Sequence, residues 1–302
     1  MENFLNKLVL GTVQFGLDYG INNQNGKPAR EKSIEMLNFA HNRGIKTFDT
    51  AYAYGDAEEI LGEFLQNINS DEKVKIITKL KPNILLVSQD EIYDIIANNF
   101  KESLKRLKRD YVDGYLLHTP EYIREEKIVT ALNDLKKLGL VKKIGVSIYE
   151  EEDAIFAAKL DVVDYIQVPY SIFDQRLDKT DFFQLAKKNK KTIFGRSAFL
   201  QGLFFMSEER IPSHLQNVKV YFRELDKIIS KYNLSRGQIA LLFSLKNKNI
   251  DYVVFGVDNV EQLQEDINIA EQDIDCEQCI KELKDKFVNI EKNIIFPSLW
   301  KK

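Results

Sequence analysis

The sequence predicts a (β/α)8 barrel, an α/β fold in which eight parallel strands close on themselves inside a ring of helices. Three observations lead there. Short β-branched or apolar runs alternate with longer amphipathic, charge-rich stretches along the whole chain, as strands joined by helical crossovers do. The strand-like runs number eight. The chain has 302 residues, enough for the roughly 250 such a barrel takes plus extra helices and a tail.

In chain order, "LVLGTV" (8–13) is the first strand, and the amphipathic stretch 31–42 returns the chain to the next, 45–49. Helix 57–67 precedes strand 74–79, and the long periodic stretch 88–108 precedes strand 113–118. Helix 125–138 leads to strand 141–147, helix 151–159 to strand 165–168, and helix 182–189 to strand 192–196. Before the last strand, 252–256, an insertion carries two further helical patterns, 218–231 and 236–246. Helix 260–270, a charged late helix and the tail follow. No Pro-, Gly- or Ser-rich linker divides the chain, so residues 1–302 are expected to form a single domain.

Composition removes several classes of function. A formal net charge of −3 gives no long-range attraction for nucleic acid or anionic lipid. The N-terminus lacks a secretory signal, and the most apolar stretch, "IALLFSL", is too short to span a bilayer, so a cytoplasmic protein is expected. The two cysteines, Cys276 and Cys279, lie in a charged helical segment with no second pair or histidine nearby. They read as reduced structural residues, and no metal site is expected.

A barrel places its chemistry at the C-terminal ends of its strands. There the sequence sets Asp49, Lys79, His118, Ser147, Gln167 and Arg196. Taken singly, Asp49 reads as a turn cap, Lys79 as a solvent-seeking ammonium and His118 as a hydrogen-bonded core residue. Together on one rim they form a site. Asp49 would hold Lys79 charged, the ammonium would lower the pKa of Tyr54, and His118 would hold a carbonyl oxygen beside the tyrosine. Such a set protonates an oxygen as negative charge develops on it.

"GIKTFDTAYAYGDAEEILG", "IITKL" and "YVDGYLLHTP" resemble the motifs of the aldo-keto reductase family, over essentially the whole chain. By that resemblance Asp49, Tyr54, Lys79 and His118 occupy the catalytic tetrad. The implied reaction is reversible hydride transfer between a nicotinamide cofactor and a small-molecule carbonyl or alcohol, with Tyr54 as general acid and base. NADP(H) is the family default. Gly11, Thr12, Ser147 and Gln167 resemble contacts around the nicotinamide and phosphates. So do Arg196, Ser197, Leu200 and Gly202 in "RSAFLQGL", and Gly256, Asp258, Gln262, Glu265 and Asp266 in "VVFGVDNVEQLQED".

The chain departs from the family pattern at several points. Ile148 stands where an asparagine usually follows the serine, and Arg196 stands near the position of an aromatic residue that stacks on the nicotinamide. Ser207 stands where a lysine often follows the seventh strand. Asp258 would repel a 2′-phosphate and accept a ribose diol, which makes NAD(H) an alternative, unless it is only the cap of the following helix. Thr119 beside the catalytic histidine suggests a roomier, more polar pocket, with Tyr19, Tyr52 and Phe199 as rim candidates. "LGTVQFGLDYGINNQNGKP" with "RSAFLQGL" resembles a bacterial branch associated with surface-sugar biosynthesis. The apolar tail "NIIFPSLWKK" is read as a wall of the barrel mouth, as packing against outer helices, or as a subunit interface. Two rival functions remain: a nucleotide-binding redox sensor on the same barrel, since the potassium-channel beta subunits resemble this family, and a lyase or epimerase using Lys79 as a Schiff base.

Overall fold

The computed structural model describes residues 3–68, 74–84 and 91–300. Strand β1 (Leu8–Gly11) turns into a one-turn helix α1 (Val13–Gly16), and α2 (Arg30–Asn42) leads to β2 (Thr47–Asp49). Next come α3 (Ala57–Asn67), β3 (Lys75–Lys79), α4 (Ile92–Leu107), β4 (Val112–Leu117) and α5 (Glu126–Lys137). Then β5 (Val141–Ser147), α6 (Glu151–Lys159), β6 (Tyr165–Pro169), α7 (Phe182–Lys188) and β7 (Thr192–Arg196) follow. The insertion is α8 (Val218–Ser230) and α9 (Arg236–Leu245), ahead of β8 (Tyr252–Phe255), α10 (Val260–Glu271), α11 (Glu277–Lys286) and the short α12 (Lys292–Ile295).

All eight strands pair in parallel, each with its sequence neighbours, and β1 closes on β8. Every expected strand is present. The first is shorter than expected, because the chain turns at Thr12 to bring Gly16 against the β2–α3 loop. The helix expected over 88–108 is seen as α4, while residues 88–90 lie outside the described residues. Helix starts follow local chemistry: a reciprocal capping box between Ser235 and Gln238 opens α9, and the Asn259 side chain caps α10.

Two cores result. A large one fills the space between sheet and helices, and a small one fills the barrel interior with Val9, Ile77, Leu116, Phe194 and Val254, packed by Tyr165 and Tyr252. Phe194 stacks on Tyr252 at 4.8 Å and meets Tyr165 at 5.0 Å. Gly145 on β5 makes room for this plug: a Cβ there would lie 2.5 Å from the Tyr165 carbonyl oxygen. The interior is therefore a packed floor, and polar groups collect above it at the strands' C-terminal ends.

At the opposite end of the barrel, aspartates just inside or just before even-numbered strands pin the preceding odd strands. Asp113 accepts from the Ile76 N–H at 3.0 Å, Asp164 from Ile144 at 3.0 Å and Asp251 from Ile193 at 2.7 Å. Lysines occupy the other oxygens of the first two, with Lys142 on Asp113 and Lys143 on Asp164.

Candidate active site

Asp49 and Lys79 end neighbouring strands, and in-register pairing brings their side chains over the same interior floor. Lys79 Nζ donates to Asp49 Oδ1 at 2.6 Å and to the Thr50 carbonyl at 3.0 Å, with the lysine wholly buried. Gln167 Nε2 donates to Asp49 Oδ2 at 2.9 Å, and Ser147 Oγ donates to Gln167 Oε1 at 3.4 Å. A polar chain thus runs from β5 through β6 to the ion pair. Both oxygens of Asp49 are occupied, as a buried carboxylate requires. Burial pulls the Lys79 ammonium below its usual pKa, and Asp49 opposes that pull. The lysine is enclosed and paired, not presented as a free amine for a Schiff base.

Tyr54 is set by backbone packing between two glycines. A Cβ at Gly16 would lie 1.7 Å from the Tyr54 carbonyl oxygen, and one at Gly55 would lie 2.3 Å from the Gly16 carbonyl oxygen. Gly55 also has φ +54°, a left-handed conformation that glycine adopts without strain. The Tyr54 ring meets His118 edge-on at 5.8 Å, and Lys79 Nζ lies 5.1 Å from its centroid. One expectation is corrected here. The lysine does not bring the Tyr54 pKa down: burial and the Asp49 charge push it far up, with Arg196 opposing. Lys79 is paired with Asp49, and the carboxylate acts on the phenol in the opposite sense to the ammonium. His118 is held neutral, its pKa lowered to about 3 by burial, then by Lys79 and Arg196. Its Nδ1 is buried without a hydrogen-bond partner.

A cavity of about 380 Å³ opens over this cluster, lined by Asp49, Tyr54 and His118, and runs past Ser147 and Gln167. It continues between Gly11, Thr12, Gly202 and Gly256 to Asp258, Gln262, Glu265 and Asp266 at the start of α10. Arg196 and Ser197 also line it. Leu200 does not: its side chain is 1% exposed and belongs to the core. Asp258 is not the helix cap, because Asn259 takes that role by accepting from the Gln262 N–H at 2.8 Å. The Asp258 N–H instead donates to Gln262 Oε1, and burial raises the carboxyl's pKa. Asp266 is raised well above its ordinary value by burial and by Glu265.

The other departures resolve as follows. Ile148 is buried, and its carbonyl accepts from Arg196 at 3.0 Å. Thr119 bonds Asn83 and does not line the cavity, while Tyr52 lies under Arg106 at 4.1 Å. Tyr19 and Phe199 do line it. No described tail residue does: Ile294, Ile295 and Phe296 are buried, Phe296 lies against Arg176, and Trp300 Nε1 donates to the Asn293 carbonyl. Its buried residues pack against the fold, away from the mouth. Cys276 and Cys279 are buried and not joined in a disulfide.

Gln14, Asn22 and Tyr149 line the cavity and were not picked out by spacing. Buried Oε1 of Gln14 and Oδ1 of Asn22 have no hydrogen-bond partner, which marks them as ligand-facing. Their signal was available in part, since the polar run after β1 is long for a βα loop.

The family profile described as the aldo/keto reductase family matches residues 7–285 of this chain. The chain belongs to the aldo/keto reductase family. It is similar to the NADH-specific methylglyoxal reductase of Escherichia coli strain K12, 25% identical with 87% of this chain and 89% of that protein covered. It is similar also to the aldo-keto reductase YhdN of Bacillus subtilis strain 168, 28% identical with 79% and 78% covered. Among solved structures, PA4992 from Pseudomonas aeruginosa superposes with a TM-score of 0.65 at 23% identity, covering 88% of this chain and 90% of that one, and shows the shared fold. This aldo/keto reductase is therefore an NAD(P)H-dependent oxidoreductase acting on carbonyls. No helix among its described residues is long and apolar enough to cross a membrane.

Proposed function

We propose that this reductase converts a small, polar aldehyde or ketone to the alcohol with Tyr54 as general acid, and that NAD(H) is its preferred cofactor. The observation that carries the reading is the convergence of Tyr54, His118 and the Asp49–Lys79 pair on one end of a single cavity. Neutral His118 donates a hydrogen bond to the carbonyl oxygen and holds it beside the Tyr54 hydroxyl. Because burial and Asp49 raise its pKa, the phenol stays protonated until an oxygen more basic than itself forms. When bound, the nicotinamide supplies the hydride to the carbonyl carbon. Tyr54 then gives its proton to the oxygen, and Lys79, steadied by Asp49, stabilises the resulting phenolate.

Gln14 and Asn22, with their unpaired oxygens, and the glycines at 11, 202 and 256 would hold the dinucleotide along the cavity. At its far end stand Asp258, Glu265 and Asp266, with no lysine or arginine among the lining residues there. Carboxylates accept hydrogen bonds from a ribose diol and repel a 2′-phosphate. The NADH-specific relative supports this preference. Relatives named for methylglyoxal and glyoxal support a small substrate, and Gln201 in the lining suits a hydroxylated, sugar-like carbonyl as well.

The test is calorimetric titration with NADH and NADPH, alongside turnover of an aldehyde panel by the wild type and Tyr54→Phe. We expect NADH to bind at least about tenfold more tightly, a difference near 1.4 kcal/mol. Tyr54→Phe should lose roughly 10²–10⁴ in kcat with cofactor affinity retained. Binding of neither cofactor, or a fully active Tyr54→Phe, would overturn the reading.

A further inference from the structure

Arg196 closes β7 at the Tyr54 end of the cavity and is half-buried. Its guanidinium lies 4.4 Å from the Tyr149 ring centroid, donates to the Ile148 carbonyl at 3.0 Å and to Ser197 Oγ at 3.2 Å. Those contacts fix the plane of the fork and leave the rest of its N–H groups free. No carboxylate among the described residues pairs with it, in contrast to Arg176, which meets Asp174 and Glu151. Lys79 is neutralised by Asp49. Among the described residues Arg196 is thus the one uncompensated cation lining the cavity, and its charge is felt at Tyr54, Lys79 and His118.

The cavity is polarised end to end, with Arg196 beside Tyr54 and the three carboxylates at α10. A half-buried guanidinium without a counter-charge is costly, and the ordinary remedy is a bidentate anion. The nicotinamide ring brings no negative charge, and the cofactor's own anion, the pyrophosphate, is expected along the glycines at 11, 202 and 256, so the anion nearest the reacting carbonyl is one that the substrate carries. We infer that the physiological substrate carries an anionic group, a carboxylate or a phosphate, near its carbonyl, and that Arg196 is the specificity-determining residue that receives it. Tyr149 holds the guanidinium from below, and Tyr19 lines the same end as a neutral wall. The inference rests on the reading of Tyr54 as the proton donor, because that fixes which end of the cavity takes the carbonyl.

The test uses carbonyls matched in size and differing in charge. Succinic semialdehyde against butyraldehyde reads the carboxylate, and glyceraldehyde 3-phosphate against glyceraldehyde reads the phosphate. With NADH fixed, the wild type should favour one anionic member at least about tenfold in kcat/KM, mainly through KM; the pair that shows it names the anion. Arg196→Met should erase that preference, and Arg196→Lys should keep part of it, because a lysine retains charge without the fork. Equal loss on charged and neutral members, or weakened NADH binding in Arg196→Met, would mean that Arg196 serves the cofactor or the scaffold, and would overturn the inference. So would a wild type indifferent to charge. If no aldehyde is reduced while NADH still binds, calorimetry of 4-hydroxybutyrate against butan-1-ol on the NADH complex reads the same preference. Absence of cofactor binding would be the separate failure of the proposed function.

Discussion

The two ends of the barrel treat their polar groups in opposite ways. At the N-terminal end, Asp113 and Asp164 spend one oxygen on a strand N–H and the other on a lysine, and Asp251 likewise pins a strand amide. At the C-terminal end, Asp49 is saturated, but His118 Nδ1, Gln14 Oε1 and Asn22 Oδ1 have no hydrogen-bond partner, and the Arg196 fork, held by Ile148 and Ser197, has no carboxylate among the described residues. Satisfied groups stabilise the barrel; unsatisfied ones in a cavity await a ligand. The same residue types therefore mean stability at one end and chemistry at the other.

The comparison breaks most visibly at Asp49, which belongs to both categories. Asp49→Asn leaves the wholly buried Lys79 without its counter-charge and should cost about 3–5 kcal/mol in urea unfolding together with most turnover. Replacing the pair with Leu and Met should recover stability and leave the protein inactive. Gly16 and Gly139 give the next contrast. Gly16→Ala drives a Cβ into the Tyr54 carbonyl and should reduce kcat at least tenfold, beyond any loss of Tm. Gly139, at the other end before β5, has φ +75° and open space around it, so Gly139→Ala should cost only about 1 kcal/mol and leave kcat alone.

Asp164→Asn should lower stability by roughly 1–3 kcal/mol with kcat/KM unchanged. Burial alone would raise the Asp164 pKa, but Lys136, the Ile144 N–H and Lys143 together bring it below 3.8. Its contribution is therefore present above pH 3.8 and fades as pH falls through the lower folded value, so the gap in Tm between wild type and variant should narrow in acid. A smaller effect is expected at the cofactor's far end, where Gln262→Arg beside Asp258 should shift the NADPH-to-NADH affinity ratio about tenfold toward NADPH. The smallest is none at all: with His118 near 3, kcat should show no histidine inflection between pH 5 and 8, and an inflection near 6.5 would mean that the imidazole is not held neutral.

Much of this was legible in the chain, for reasons specific to each element. The strands at 141–147 and 192–196 match their expected bounds because β-branched runs flanked by polar turns leave little ambiguity. β1 came out short because its end is set by a contact with Tyr54, far along the chain. Asp49, Lys79 and His118 stand out because each sits where an apolar strand pattern stops, and Tyr54 because it follows Asp49 on the next loop. Leu200 does not line the cavity, because at φ +46° in an apolar stretch its side chain belongs to the core.

The sequence by itself determined the repeat, the barrel and the residue types on its rim, since periodicity and strand ends are local properties. Tertiary structure alone decided that the Lys79 charge is cancelled and the phenol's pKa raised, that Asn259 rather than Asp258 caps α10, and that the tail stays away from the mouth. It also left Arg196 without a carboxylate partner among the described residues. Charge balance and burial depend on which distant residues meet, and that is fixed only when the barrel closes.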